Sequence, residues 1–481
     1  MPVRVRHPEP TDGITLEIKL DQYCGLVAHD PPVVSRFDGN GLRGCKLESA
    51  AIRVLNMDLT TDQESDVRVH TRIGTDNRLH VCGPSKPGRV DDALHAAGAG
   101  PHDINLGTAD CAALAADNGC EQWIIAAHNA VGSGVSLGYF PCDKSAPWQP
   151  SYPETTGYII STLLRYAERY NVESVRTRAV EMAVWEAKIQ MPNGAVQGGP
   201  FVPGTEQTPC AFNTGMVLDG WCSAYAATKD PRLFDAAKRA TDYLVGDLDG
   251  DGYFRTNGQF VTAAKIKTYN CLCAWSMYRF GILADEPHYH VEAIRVIEAA
   301  LRQQRTNGWF ANNCLTRPEA PLLHTIGYTL QGILEVGILA HREDFIAAVR
   351  LGVEPLLQNI SADGFLHGRF YADWTPASFC CCLTGSAQLA VVCYRLHQHT
   401  GEPVYRYFAD VLVNFLKHQQ LLDSDCTSVN GALAGSFPIF GEYMTGGYPN
   451  WATKYLLDAL LLRDELNSSA ELEAYAVEGR R

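Results

Sequence analysis

Apolar residues recur at helical spacing along most of the chain, and the helices they predict alternate between two kinds. One kind is apolar almost all round: SYPETTGYIISTLLRYA from 151, FNTGMVLDGWCSAYA from 212, TYNCLCAWSMYRFG from 268, LHTIGYTLQGILEVG from 323, CCLTGSAQLAVVCYRL from 381 and YPNWATKYLLDALLL from 448. A helix with no polar face must be covered on both sides. The other kind alternates charged and apolar residues at a period near 3.6, as one-sided helices do: VESVRTRAVEMAVWEAKIQ, PRLFDAAKRATDYLV, PHYHVEAIRVIEAALRQQ, REDFIAAVRLGVEPLLQ and PVYRYFADVLVNFLKHQQ. Most of these run into a turn: MPNGAVQGG, DLDGDGYF, RTNGWFANN, SADGFLHGRF. Asn-Gly and Asp-Gly supply the positive φ such turns need.

The repeat is about 55–65 residues, the length of a helical hairpin with its loops. Six covered helices alternating with one-sided ones predict an all-α fold, an (α/α)6 toroid. The sixth covered helix needs an outer partner, and INLGTADCAALAADNGCEQWIIAAHNAV, from 104, supplies one. Residues 1–100 do not follow the repeat. Alternating stretches there (ITLEIKL, VRVHTRI, RLHVCG), broken by Pro and Gly, predict a small β-containing extension ahead of a toroid over 101–481.

Each covered helix is entered through a polar and often aromatic cluster. In a toroid the inner N-termini share one end. The clusters therefore converge on one mouth, where the helix dipoles add positive potential and where a ligand is expected.

Composition narrows the partner. A net charge of −14 speaks against nucleic acid, which needs a basic surface. Sixteen cysteines are present, but Cys380, Cys381 and Cys382 are adjacent, and Cys271 and Cys273 sit in a helical pattern. That is not the spacing of a disulfide scaffold; it reads as small buried hydrophobes in a reducing compartment. MPVRVRHPEP has no apolar signal region, and no apolar run reaches membrane-spanning length, so a cytoplasmic protein is expected. DLDGDG lacks the closing Glu of a Ca²⁺ loop and reads as a turn. Cys271, Cys314, His324 and Cys380–Cys382 fall at one end of the ring without zinc-ligand spacing. No metal and no cofactor is expected.

The hairpin count, the Gly-rich turns and the clusters at covered-helix starts resemble the six-hairpin (α/α)6-barrel carbohydrate enzymes. These include unsaturated glucuronyl hydrolases, N-acyl-sugar epimerases and the toroids of polysaccharide lyases and uronyl C5-epimerases. The resemblance spans about residues 105–465 and lies in architecture. SYPETTGY, CLTGSAQ and YPNWATK also look like stretches of bacterial proteins associated with surface-polysaccharide genes. The resemblance implies a glycan or oligosaccharide substrate.

Glycoside hydrolysis ordinarily takes two carboxyls across the bond. Glu154, beside Tyr152 and Tyr158, and Asp373, in GRFYADWTPAS with Arg369 and Trp374, are the candidates. The plainer alternatives are a first-turn Glu on the helix dipole and an Asp373–Arg369 ion pair holding a loop. His324 and Tyr269 are assigned to orient the sugar. With Tyr328, they also offer a base for lyase or C5-epimerase chemistry, with Asn270 to neutralise a carboxylate. Asn213, Thr214, Thr384, Gln388, Asn450, Trp451 and Lys454 complete the ring; amides and aromatics suit sugar hydroxyls and faces, and Lys454 and Arg369 suit a uronate. Asn213 serves equally as a helix cap, and His324 as a satisfied core histidine. Asp219 and Asp458 fall well inside their helices and are not chosen. The leading expectation is a glycoside hydrolase; the alternatives are a lyase or epimerase, and a glycan-binding toroid without catalysis.

Overall fold

The computed structural model describes residues 70–73, 79–82, 106–258 and 266–478. The chain divides into two compact units, Met1–Gly100 and Pro101–Arg481. In the first, β1 (His70–Ile73) and β2 (Leu79–Cys82) pair antiparallel, with His70 opposite Cys82. They fall within VRVHTRI and RLHVCG; ITLEIKL lies outside the described residues.

The second unit is the toroid. In chain order its helices are α1 (Leu106–Val131), α2 (Pro153–Tyr170), α3 (Glu173–Ile189), α4 (Ala211–Thr228), α5 (Pro231–Asp247) and α6 (Cys271–Ala284). There follow α7 (Pro287–Leu301), α8 (Leu323–Leu339), α9 (Glu343–Gln358), α10 (Leu383–Thr400), α11 (Pro403–Gln419) and α12 (Asn450–Glu478). The even-numbered helices form the inner ring. Each packs on the even-numbered neighbours at either side, and α12 returns to α2. α12 also packs along α1, so the segment from 104 does close the sixth hairpin. The covering expected of the inner helices is complete in α8, where every residue from Leu323 to Gly337 is buried. Backbones approach closely where side chains vanish: a Cβ on Gly157 of α2 would strike Val217 of α4, and one on Gly220 would strike the Gly157 carbonyl.

The outer ring is held by a repeated device. The turn glycines Gly194, Gly252, Gly308 and Gly364 all have positive φ, as their Asn-Gly and Asp-Gly sequences predict. Gly194 lies against the Arg239 carbonyl of α5, and Gly308 against the Leu351 carbonyl of α9. Gly431 does the same against Gly119 of α1, carrying the pattern across the seam. A glutamine just before three of these turns ties both partners. Gln190 Nε2 donates to Gly194 and Ala236 carbonyls, Gln304 Nε2 to Gly308 and Ala348, and Gln420 Nε2 to Gly431 and Ala116.

At the other ends of the hairpins, two short pairings pin the loops of the mouth. β3 (Gly138–Tyr139) pairs with β6 (Tyr448–Pro449), and β4 (Cys381–Cys382) with β5 (Ser436–Phe437). Cys271, Cys273, Cys314, Cys380, Cys381 and Cys382 are free and buried. The DLDGDG segment is a turn, with Asp249 Oδ1 accepting from the Asp251 and Tyr253 amides. No helix among the described residues is long and apolar enough to cross a membrane.

Candidate active site

Much of the polarity at the inner-helix starts is structural. Thr156, Thr214 and Thr453 each occupy the fourth position of an inner helix. Their hydroxyls accept from the amides of Val135, Val196 and Leu433 in the preceding loops, at 2.8, 2.8 and 3.0 Å. Thr156 and Thr214 also donate to the carbonyls of Tyr152 and Cys210, four residues back. Buried loop amides are thereby satisfied where no side chain caps α2 or α4 at the N-cap position. Asn213 Nδ2 donates to the Gln197 carbonyl, Asn270 Nδ2 to Asn257 Oδ1, and Asn450 Nδ2 to the Ser136 carbonyl and Thr155 Oγ1. These three asparagines thus tie loops, whatever else they do.

What remains is an aromatic collar around the mouth. Tyr269 packs on Phe212 (5.3 Å between ring centres), Phe212 on Tyr328 (4.8 Å), and Tyr328 on His324 (4.3 Å). His324 then meets Tyr443 (5.4 Å), Tyr443 meets Trp451 (6.4 Å), and Trp451 meets Tyr152 (6.1 Å). Tyr158 and Tyr328 both touch Tyr455 below, at 5.6 and 6.2 Å. The hydroxyls of Tyr158 and Tyr328, the Trp451 indole N–H and Gln388 Nε2 are buried without a hydrogen-bond partner of good geometry. In a folded protein such groups are few and call for a reason.

Glu154 sits within this collar. It lies in the first turn of α2 and accepts a hydrogen bond from the Tyr152 hydroxyl at 2.8 Å. Protein surrounds it, yet the residue keeps a solvent-accessible face, as does Tyr152. Desolvation pushes its pKa up to about 7, against the lowering effect of the Tyr152 bond. No neighbouring carboxylate contributes to that shift. In turn, the Glu154 charge and burial together hold Tyr152, Tyr158, Tyr269, Tyr328 and Tyr443 well above the usual phenol range, burial being the larger cause. His324 Nδ1 is 2.8 Å from Gln388 Oε1, which only accepts; the proton therefore sits on Nδ1 and leaves a lone pair on Nε2. Burial lowers the His324 pKa to about 4, so the ring is neutral at pH 7.

Four expected members have other partners. Asp373 is not brought to Glu154. Phe370 bridges to Pro376, and Asp373 sits at the exposed tip of that hairpin, accepting from Thr375 Oγ1 at 2.6 Å and from the Thr375 amide. Those bonds lower its pKa. Nor does Arg369 pair with Asp373: its Nε bonds Glu442 at 3.1 Å and Nη1 the Ala320 carbonyl at 2.8 Å. Trp374 is buried under the same hairpin, with its indole donating to the Asn307 carbonyl, so it presents no face to the mouth. Lys454 turns away down the bore, 2.6 Å from Asp458 one turn on, with its ammonium over the rings of Tyr455 and Tyr158.

Tyr443 was not legible as a wall residue. It comes from the irregular loop between α11 and α12, where periodicity says nothing. The only sequence signal is its place in FGEYMTGGYPN, a Tyr- and Gly-rich approach to an inner helix. Among the described residues no group of three or more His, Cys, Asp or Glu side chains is arranged to hold a metal ion.

No family model matches the chain, and no curated protein is similar to it in sequence. Solved structures are similar in fold. One is an unsaturated glucuronyl hydrolase specific for heparin, with a TM-score of 0.60 at 14% identity, over 75% of this chain and 98% of that one. A D-mannose isomerase has a TM-score of 0.55 at 10% identity, over 73% of this chain and 97% of that one. The cellobiose 2-epimerase of Bacillus thermoamylovorans has a TM-score of 0.53 at 10% identity, over 64% and 87%. These likenesses establish the (α/α)6 toroid.

Proposed function

We propose that this chain is a carbohydrate-active enzyme whose reaction is run by Glu154 in the collar at the N-terminal mouth. The observation that carries the reading is a carboxyl with a pKa of about 7 and a solvent-accessible face, enclosed by tyrosines, Trp451 and a neutral His324. A group half-protonated at neutral pH both gives and takes a proton, which is the property general acid–base catalysis needs. Aromatic walls whose hydroxyls and amides make no hydrogen bond of good geometry suit the faces and hydroxyls of a sugar. The sugar-processing enzymes that share the fold support the same class.

The carboxyl set bears on the reaction type. The expected pairing of Glu154 with Asp373 is not formed, since Asp373 is at an exposed hairpin tip. One titrating carboxyl and a neutral imidazole on the same collar fit movement of a proton on and off a sugar carbon, as in an epimerase, isomerase or lyase. Glu154 and His324 Nε2 are the groups to exchange that proton. Tyr269 and Tyr328, kept neutral by burial, serve as hydrogen-bond donors and not as bases. Hydrolysis with Glu154 as acid is the second reading. It is favoured by the raised pKa, which keeps a carboxyl protonated near neutrality.

The test is incubation in D₂O with neutral and uronate-containing glycans, followed by NMR and by assay of reducing ends and ultraviolet absorbance. Deuterium on a sugar carbon without new reducing ends is expected. New reducing ends without absorbance would move the reaction to hydrolysis, and both together to a lyase. Silence in every channel on every glycan would overturn the enzymatic reading in favour of binding alone. With Glu154 acting as base, the rate rises with pH through about 7; acting as acid, it falls through the same region.

A further inference from the structure

Below the collar the bore opens again. Between the middle and C-terminal portions of the inner helices lies a cavity of 760 Å³, inside the range of about 300–1,000 Å³ usual for small-molecule sites. Tyr158 and Tyr455 contribute to its lining and, with Tyr328, form the aromatic contacts beneath the Glu154 collar.

Most charges on the wall are paired, the exposed Glu168 being the exception. Arg165 of α2 bonds Glu465 of α12 at 2.9 Å, Arg395 of α10 bonds Glu335 of α8 at 2.7 and 2.8 Å, and Arg279 of α6 bonds Asp219 of α4. Lys454 is matched by Asp458. Each pair offers donors and acceptors side by side at fixed positions, with the two charges cancelling. Two further side chains line the cavity and lack partners. Gln331 is 5% exposed with Oε1 unbonded, and Ser276 is fully buried with Oγ unbonded. Trp275 adds an indole to the wall, under the Arg279 guanidinium.

We propose that this lower cavity is a second binding site, for a neutral saccharide. Adjacent hydroxyls on a sugar ring match adjacent donors and acceptors on the wall. The orphan Gln331 carbonyl takes a hydroxyl proton, and Trp275 and Tyr455 cover the C–H faces. A net-charged ligand is disfavoured, because binding it would set it against one member of every ion pair. The site does not depend on the chemistry assigned to Glu154, and it binds without turnover.

Saturation-transfer NMR tests this with glucose, cellobiose and maltotriose, against glucuronate and glucosamine as charged controls. The expected result is binding of the neutral sugars to wild type and to Glu154→Gln alike, at least tenfold weaker in Gln331→Leu and in Trp275→Leu. Trp275 is partly exposed, so its variant keeps the test intact if the buried Gln331→Leu does not fold; thermal melts report which variants fold. Three outcomes would overturn the proposal. One is no binding of any of the three neutral sugars. Another is binding lost in Glu154→Gln but retained in the folded cavity variants. The third is tighter binding of glucuronate or glucosamine.

Discussion

The two ends of one bore are built from the same six helices and have opposite chemistry. At the N-terminal mouth the ionisable groups stand without an opposite charge: Glu154 has only a tyrosine hydroxyl, and His324 only an amide. Burial then sets their protonation, pushing Glu154 up to about 7, where it exchanges a proton near neutrality, and His324 down to about 4, where the ring stays neutral. In the lower cavity each carboxylate from Asp219, Glu335 and Asp458 faces an arginine or lysine. Pairing fixes charge, and fixed charge suits recognition better than proton transfer. Poised chemistry thus depends less on which residue types are present than on whether their neighbours leave them uncompensated.

The sharpest way to break this contrast is to remove the titrating group. Glu154→Gln should cut turnover by about 10²–10⁴-fold, the usual worth of a general acid–base, while leaving the melting temperature close to wild type. Asp373→Asn, on the exposed hairpin, should stay within about threefold of wild type by the same reasoning. A large loss there would restore the two-carboxyl mechanism. Steady-state rates on whichever glycan turns over decide both.

Next comes the paired end. Asp219→Ala strips Arg279 of its carboxylate and leaves a partly buried cation. A loss of about 3 kcal/mol is expected, read from denaturant unfolding. A loss under about 0.5 kcal/mol would mean that water already screens the pair.

Smaller again is the threonine device. Thr214→Val removes the acceptor for the Val196 amide and should cost about 1–3 kcal/mol. Turnover per folded molecule should change little, since the hydroxyl ties a loop and touches nothing in the collar.

A pH-dependent effect concerns Glu186 of α3, fully buried with both oxygens unpartnered. Burial raises its pKa well above the usual carboxylate range. A raised folded-state pKa means stability that is complete below the unfolded value, near 4.5, and lost as pH rises towards the folded one. Glu186→Gln should therefore stabilise the protein at pH 8, with little change at pH 4, flattening the profile of melting temperature against pH. An unchanged slope would show that another group sets it.

The toroid was legible because its two kinds of helix obey different burial rules, and burial writes itself into hydrophobic period. The Asn-Gly and Asp-Gly turns were legible because positive φ restricts residue type. The site was legible only in part. Glu154 and His324 were recognisable from their position at helix starts, where a toroid gathers its N-termini. Asp373 misled because it lies few residues before an inner helix; the hairpin from Phe370 to Pro376 carries it outward, and no period marks that reversal. Asp219 and Asp458 were passed over as mid-helix residues. In a solid bundle such positions are core, but around an open bore they line a cavity. Tyr443 arrives on a loop whose path depends on tertiary pairing.

The seam between α1 and α12 also bears on how the molecule is made. Trp451 stands in the collar and Asp458 in the lower wall, both on α12, while α12 pairs with a helix more than 300 residues earlier. Until residues 450–478 have been synthesised, a nascent chain already holding Glu154, His324 and Gln388 is a horseshoe. Its open edge exposes apolar flanks of inner helices that the closed ring covers. For most of its synthesis this chain therefore leaves inner-helix surface uncovered, and it completes the collar and the lower cavity together, in the single event that shuts the ring.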